Sequence, residues 1–326
     1  MEKALNLTAA CCMALFSFLG NKTAFPLSTD YEASLSSYFS IQEGSLRPAC
    51  IVSPDTTEDV ANAVRILTNT SLVPPESDDE TCKFAIRSGG HSSNLYAANI
   101  NNGITIDLRR LNSITVSPDR SMVAIGVGNT WDSVYSKLDA MDLGVTGGRT
   151  AGVGVGGLSL GGGISYFSTR YGWTSDTIIN FEVVLANGSI VNANKEENRE
   201  LHWALKGGGN NFGIVTRVDL RSFSQGPFWG GALYFPTTVW EHTAQEFLKF
   251  NSPHSYDEYA ALTLSWGYSS SSGTAIAANM EYTKAIENPS IFAGFTSLPS
   301  LFGNTSITNM TQLSVDLRNE QVLNER

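Results

Sequence analysis

Residues 87–94 read RSGGHSSN, which sets an imidazole directly on a pair of glycines, just after the apolar run Phe84–Ile86. Imidazole is the side chain whose charge changes nearest to neutral pH. A catalytic metal would need several His, Cys, Asp or Glu ligands, and the other histidines, His202, His242 and His254, share no i, i+4 spacing. No metal site is expected. A Ser–His–Asp hydrolase needs a nucleophile elbow, and none is read in the chain. For His91 there remains the imidazole as a covalent anchor, set against the ordinary alternative of a solvated loop histidine.

Glycine is concentrated at Gly89–Gly90, Gly147–Gly163 and Gly207–Gly213. The middle tract, GGRTAGVGVGGLSLGGG, contains G-x-G-x-x-G at Gly152, Gly154 and Gly157. A dinucleotide fingerprint should follow the first strand of a βαβ unit and open a helix. Here it lies deep in the chain, and more glycines stand where the helix should run, which argues against a nicotinamide site. A Walker loop is absent from the sequence. Glycine loops can still cradle a phosphate, because bare backbone approaches closely and presents its N–H groups. Tight turns between strands are the competing use.

These loops need elements to hold them. An amphipathic entry segment spans about Tyr31–Phe39. Ser53–Asn69 reads as a helix capped by Asp55 or Thr56, with Val60, Val64 and Leu67 on one face. Residues 71–80 form a polar loop, and Lys83–Ser88 a short buried strand ending at the glycines. GITIDLRRLN and MVAIGVG are strands, and Asn129–Gly144 is a helix closed by glycine. Phe181–Asn194 is a hairpin about Asn187-Gly188, Glu197–Gly209 is a short helix stopped by glycine, and Ile214–Phe223 is a strand. Beyond Pro227 the glycine tracts stop and aromatics increase. There we read a helix at TTVWEHTAQEFLKFN, strands at YAALTLSWGY and TAIAANMEYT, and a polar helical end.

The 326-residue chain carries a net charge of −10 and no Lys/Arg cluster, so nucleic acid is not an expected partner. Ala4–Gly20 is apolar behind Lys3, and residues 1–20 read as a secretory signal peptide, with a buried N-terminal helix as the alternative. No later segment is long and apolar enough to span a membrane. With Cys11 and Cys12 removed in such a leader, Cys50 and Cys82 read as one disulfide, or in a cytosolic chain as two buried thiols. N-glycosylation acceptors at Asn21, Asn69, Asn187, Asn304 and Asn309 agree with a secreted protein.

The ordered segments RPACIVSPDTTEDVANAVRIL, FAIRSGGHSSN, GITIDLRRLNSI, the glycine tract, YGWTSDTI and KGGGNNFGIVT give the chain a family. It resembles the FAD-linked oxidoreductases of the vanillyl-alcohol-oxidase superfamily, in particular their berberine-bridge-enzyme-like fungal branch. The resemblance runs from Arg47 onward and is most specific between Phe84 and Phe223.

It implies an α+β fold: a PCMH-type FAD-binding domain over residues 44–224, then an incomplete α+β substrate domain over 225–326. The first loop would hold the FAD pyrophosphate with Arg87, Ser88, Gly89, Gly90 and Ser92, and His91 would bond to the flavin 8α-methyl group. Thr150, Gly154, Gly157, Leu158 and Val215 would flank the cofactor, and Cys50 and Cys82 would be placed for the disulfide. Some family members add a second bond through a cysteine where this chain has Thr150. A hydroxyl cannot form that thioether, so attachment through His91 alone is expected.

The reaction implied is oxidation of a C–H next to O or N by hydride transfer to flavin N5, with O2 as acceptor and a fungal secondary metabolite as the small-molecule substrate. An oligosaccharide oxidase, or a flavin-binding protein without turnover, are the alternatives. Family members extend well beyond 326 residues and carry their tyrosine base in that extension, so no catalytic base is named. Tyr234, Tyr259, Tyr268 and Tyr282 read as sheet packing rather than as that base.

Overall fold

A computed structural model describes residues 2–69, 82–269 and 273–322. The polar loop read at 71–80 lies outside the described residues. The chain divides into two compact units, one of Met1–Trp131, Gly152–Gly163 and Ile178–Arg221, the other of Asp132–Ala151, Ile164–Thr177 and Ser222–Arg326. Both mix helix and sheet, as an α+β fold requires.

In the first unit, β1 (Thr23–Ala24), β2 (Cys50–Val52), β3 (Phe84–Arg87) and β4 (Ile104–Asp107) form a sheet in the order β1-β2-β4-β3. β2 and β3 both run parallel to β4. Parallel neighbours need a crossover, and the helix Thr57–Leu67 lies between β2 and β3 in the chain. Of the two caps considered, Thr56 is the one used: its hydroxyl accepts from the Asp59 amide, and the Asp59 carboxylate accepts from the Thr56 amide in return. Val60, Val64 and Leu67 are buried, as their spacing predicts.

A second sheet of the same unit comprises β5 (Ile114–Val116), β6 (Met122–Gly126), β8 (Ile178–Val184), β9 (Ile190–Ala193) and β10 (Ile214–Arg221), antiparallel in the order β5-β6-β10-β8-β9. β8 and β9 are the hairpin expected around Asn187-Gly188, with Gly188 at φ +77°.

The second unit holds the pair β7 (Leu143–Gly144) and β11 (Phe223–Ser224), and a four-stranded antiparallel sheet. The latter is built from β12 (Phe228–Pro236), β13 (Ala260–Ser269), β14 (Gly273–Tyr282) and β15 (Phe302–Thr308), in the order β13-β14-β12-β15. Phe235, Ile276, Ala278 and Met280 cover one face of that sheet and pack with Phe292 and Phe295. The amphipathic helix Trp240–Phe250 adds Phe247 and Phe250 to this core.

The cysteine pairing differs from expectation. Cys82 bonds to Cys11 and Cys50 to Cys12, not to one another. Topology gives the reason. β2 and β3 flank β4, and both Cys50 and Phe84 stand opposite Ile104. Two strand spacings, about 9–10 Å, separate such positions, whereas a disulfide tolerates about 7 Å between Cα atoms.

The partners come from the helix Glu2–Leu19, in which Leu7, Cys11, Cys12, Leu15 and Leu19 make a buried stripe at helical spacing. The stretch read as a removable leader thus has a packed, cross-linked place in the fold. Within the described residues no helix is long and apolar enough to cross a membrane.

Candidate functional site

β3 ends at Arg87, and the chain then turns through Ser88–Ser92 along one wall of a groove of about 480 Å³. Two further glycine segments complete the wall, Val153–Gly157 and Gly209–Val215, so all three clusters contribute to one concavity within the first unit. Its lining is backbone-rich on the glycine side and aliphatic elsewhere, with Ile86, Leu108, Val127 and Leu160. Pockets of this size and character hold organic cofactors.

The first two loops touch backbone to backbone. A Cβ on Gly89 would lie 2.5 Å from the Gly154 nitrogen and Cα, and one on Gly156 would lie 3.0 Å from the Ser88 Cβ. The Ser88 hydroxyl donates to the Val127 carbonyl at 2.6 Å and accepts the Gly156 amide at 3.1 Å, which pins the loops together. Gly90 has φ +67°, and a Cβ there would strike the Arg87 guanidinium and the Tyr38 ring. Gly157 behaves differently: a Cβ there would meet nothing within 4 Å, so its face opens into the groove.

Of the expected cofactor residues, Ser88, Gly89, Gly90, His91, Ser92, Gly154, Gly157, Leu158 and Val215 line the groove. Arg87 does not. Its side chain is fully buried behind the loop, donating to the Ser34 carbonyl at 2.6 Å and the Ser37 hydroxyl at 2.9 Å, with Tyr38 stacked 3.7 Å away. Burial lowers its pKa, and Asp107, 3.7 Å distant, opposes the shift. Burial likewise pushes the Asp107 carboxyl up, but the Arg109 hydrogen bonds and the charges of Arg87 and Arg109 prevail and hold it below the usual carboxylate range. Arg87 is a fixed ion beneath the loop, with its guanidinium withheld from any ligand. Thr150 belongs to the second unit and is not among the groove residues.

Sequence reasoning missed the helix Val155–Leu160, which forms inside the glycine tract where none was expected. It also missed the aliphatic lining, because Ile, Leu and Val in strands read as ordinary core. It missed a spacing as well: Gly157, Ser159 and Gly161 match G-x-S-x-G, contrary to the reading that no elbow exists. Ser159 is fully buried within that short helix, however, so its hydroxyl cannot serve as an exposed nucleophile. Among the described residues no group of His, Cys, Asp and Glu could hold a metal ion.

The cradle fits a dinucleotide such as FAD. Close-packed glycine backbone lines one wall, the opposite lining is apolar, and the Gly157 face is left open. Residues 48–194 match the FAD binding domain family. FAD-dependent monooxygenase CTB5 of Cercospora beticola is 42% identical over 290 residues, which are 88% of this chain and 54% of that protein. The chain thus spans about half the length of this curated relative.

Among solved structures, 6-hydroxy-D-nicotine oxidase from Arthrobacter nicotinovorans superposes with a TM-score of 0.78 at 22% identity, covering 92% of this chain and 64% of that one. The glucooligosaccharide oxidase of Acremonium strictum, described with a 6-S-cysteinyl, 8α-N1-histidyl FAD, gives 0.73 at 21% identity, covering 94% and 62%. The fold and groove define a PCMH-type flavoprotein. The chain belongs to the FAD-linked oxidoreductases of the vanillyl-alcohol-oxidase superfamily.

Proposed function

We propose that the chain binds FAD in the glycine-walled groove, with the pyrophosphate against Ser88–Ser92, and holds it covalently through His91 alone. Gly154, Gly157, Leu158 and Val215 then lie along the cofactor. The observation that carries the reading is the convergence of three glycine segments and His91 on one groove. Bound there, FAD supplies a two-electron acceptor at its N5 position, while the protein supplies position and electrostatics.

The activity we propose is oxidation of a C–H next to O or N in a small secondary metabolite, with O2 as final acceptor and no nucleic-acid or membrane partner. Relatives are named monooxygenases, so product oxygen decides between the two chemistries. An oxidase releases one hydrogen peroxide per substrate and takes no label from 18O2, whereas a monooxygenase incorporates it.

A secretory-pathway location is proposed with N-glycans at Asn21, Asn69, Asn187, Asn304 and Asn309. Two disulfides and the exposure of all five asparagines support it.

The test of the cofactor reading is acid precipitation of the purified chain. Yellow colour in the pellet and an FAD adduct on the His91 peptide are expected, with both lost in His91→Ala while free FAD still binds. A pellet that stays colourless in the wild type would refute covalent attachment, and a chain that takes up no flavin would refute the site.

A further inference from the structure

The ring of Phe39 lies 3.9 Å from the imidazole of His91, centroid to centroid, with 20° between their planes. The Phe39 amide also donates to the Gly90 carbonyl over 3.1 Å, tying the backbone under one ring to the backbone next to the other. The neighbours of Phe39 are anchored by other means. Tyr38 stacks on Arg87 and donates its hydroxyl to the Ala98 carbonyl at 2.9 Å, while Ser40 caps the helix Ile41–Gly44. Tyr38 and Ser40 are buried, whereas Phe39 between them is 49% exposed. A ring half in water gives back much of its burial free energy, so packing alone is a weak reason for an aromatic here. What it does is cover one face of an imidazole that stands on a glycine hinge.

We propose that Phe39 is a positioning residue for covalent flavin attachment, its ring fixing the plane in which the His91 nitrogens meet the flavin 8α-methyl carbon. The inference rests on the reading of His91 as the anchor. The reacting lone pair lies in the plane of the imidazole, so ring orientation decides whether it points at the carbon. Holding that orientation beforehand lowers the barrier by the entropy otherwise lost on reaction. The new bond costs one imidazole N–H and one methyl C–H. Both hydrogens and their two electrons pass to the flavin ring, from which O2 removes them as hydrogen peroxide. The balance therefore closes without a further reagent.

The 326-residue chain prepared free of flavin is mixed with FAD. Acid-precipitable flavin is followed with time, beside the Kd of the initial non-covalent complex and the Tm. Phe39→Leu, which keeps bulk but not the planar face, is expected to attach flavin about tenfold more slowly, equivalent to ~1.4 kcal/mol on the barrier. Its Kd and Tm stay near wild type, and Phe39→Tyr, which keeps the face, restores the rate. Phe39→Ala is measured alongside, so that a folding defect in one variant leaves another to decide. Equal rates in wild type and Phe39→Leu overturn the inference and leave the anchor reading standing. So does a loss that Phe39→Tyr fails to rescue. A wild-type chain that releases all its flavin in acid overturns the anchor reading itself, and this inference with it.

Discussion

Alanine at Gly154 and alanine at Gly157 should have opposite effects on the fold, although the two glycines are three residues apart. A Cβ on Gly154 would lie 2.6 Å from the Gly89 Cα and 2.9 Å from the Ser88 hydroxyl. Carbon atoms rest at about 3.5–4.0 Å, so the two loops must part by roughly 1 Å. The obstacle is backbone, which cannot swing aside as a side chain does, and overpacking of this kind costs about 1–3 kcal/mol.

At Gly157 the added methyl meets nothing within 4 Å beyond the backbone of its own helix, Val155–Leu160, in whose interior it sits. There alanine gains up to about 1 kcal/mol of helix propensity over glycine. Its methyl projects into the groove and against whatever lies there. A clash of similar size with the ligand, converted at 1.4 kcal/mol per decade, weakens binding about tenfold to a hundredfold. The assay is a Tm for each flavin-free variant and an FAD titration followed by flavin fluorescence. Gly154→Ala should lose both stability and binding, and Gly157→Ala should lose binding while keeping or raising Tm. A Gly157→Ala chain that binds FAD like wild type would show that the cofactor does not pass over this face.

Three further outcomes follow from groups outside the groove. His202 is buried, donates from Nε2 to the Ile178 carbonyl at 3.1 Å and lies edge-on to Phe181. Desolvation, with help from Lys206 and Lys195, lowers its pKa against the raising effect of the Ile178 bond. A depressed pKa gives stability that is whole above the unfolded value of about 6.5 and is lost as pH falls through the folded one. Tm should therefore drop on acidification from pH 7, and His202→Gln should flatten that part of the profile.

Glu281 on β14 is fully buried, neither carboxylate oxygen has a hydrogen-bond partner, and burial raises its pKa well above normal against the opposing charge of Arg149. A raised carboxyl favours the fold below about pH 4.3 and costs stability as pH rises. Glu281→Gln should therefore stabilise by about 1–3 kcal/mol near pH 8 and by less at pH 4.5, which thermal melts at the two pH values would show. The disulfides close separations of 71 and 38 residues. Loop-closure entropy gives about 4 kcal/mol for either alone. A Cys11→Ser, Cys12→Ser chain should melt far lower, and non-reducing peptide maps of the wild type should join the Cys11–Cys12 peptide to both Cys50 and Cys82.

Local signals were legible wherever one residue type dictates backbone. Thr56 with Asp59 marks a helix start, and Asn187-Gly188 marks a hairpin, because the reasons lie within four residues. The pairing of cysteines was not legible. It depends on β4 entering between β2 and β3, a fact of sheet order that neither Cys50 nor Cys82 carries in its neighbourhood. Nor was the role of the N-terminal helix, since an apolar stretch behind one lysine has the same composition whether it is buried or discarded. β12 and β15 were missed for a similar reason: FWGGALYFP and FGNTSIT interrupt their apolar residues with glycine, which weakens the alternation by which strands are read.

The glycines of the site were legible as a set, but their separate tasks were not. Gly89 and Gly154 are small so that one loop can touch another, Gly90 so that the chain can turn at φ +67°, and Gly157 so that the groove stays open. Sequence density alone cannot sort these, because each reason names a partner far along the chain. The same holds for Arg87. Beside a phosphate-type loop an arginine invites the reading of an anion clamp, yet its guanidinium points inward to Ser34 and Ser37.

Its buried charge, balanced by Asp107, lies against Gly90, and Phe39 stacks on the histidine. A glycine hinge by itself would leave His91 loose. The hinge supplies a left-handed turn with no Cβ to strike Arg87 and Tyr38, and the Ser34–Phe39 segment removes the freedom that the turn would otherwise confer.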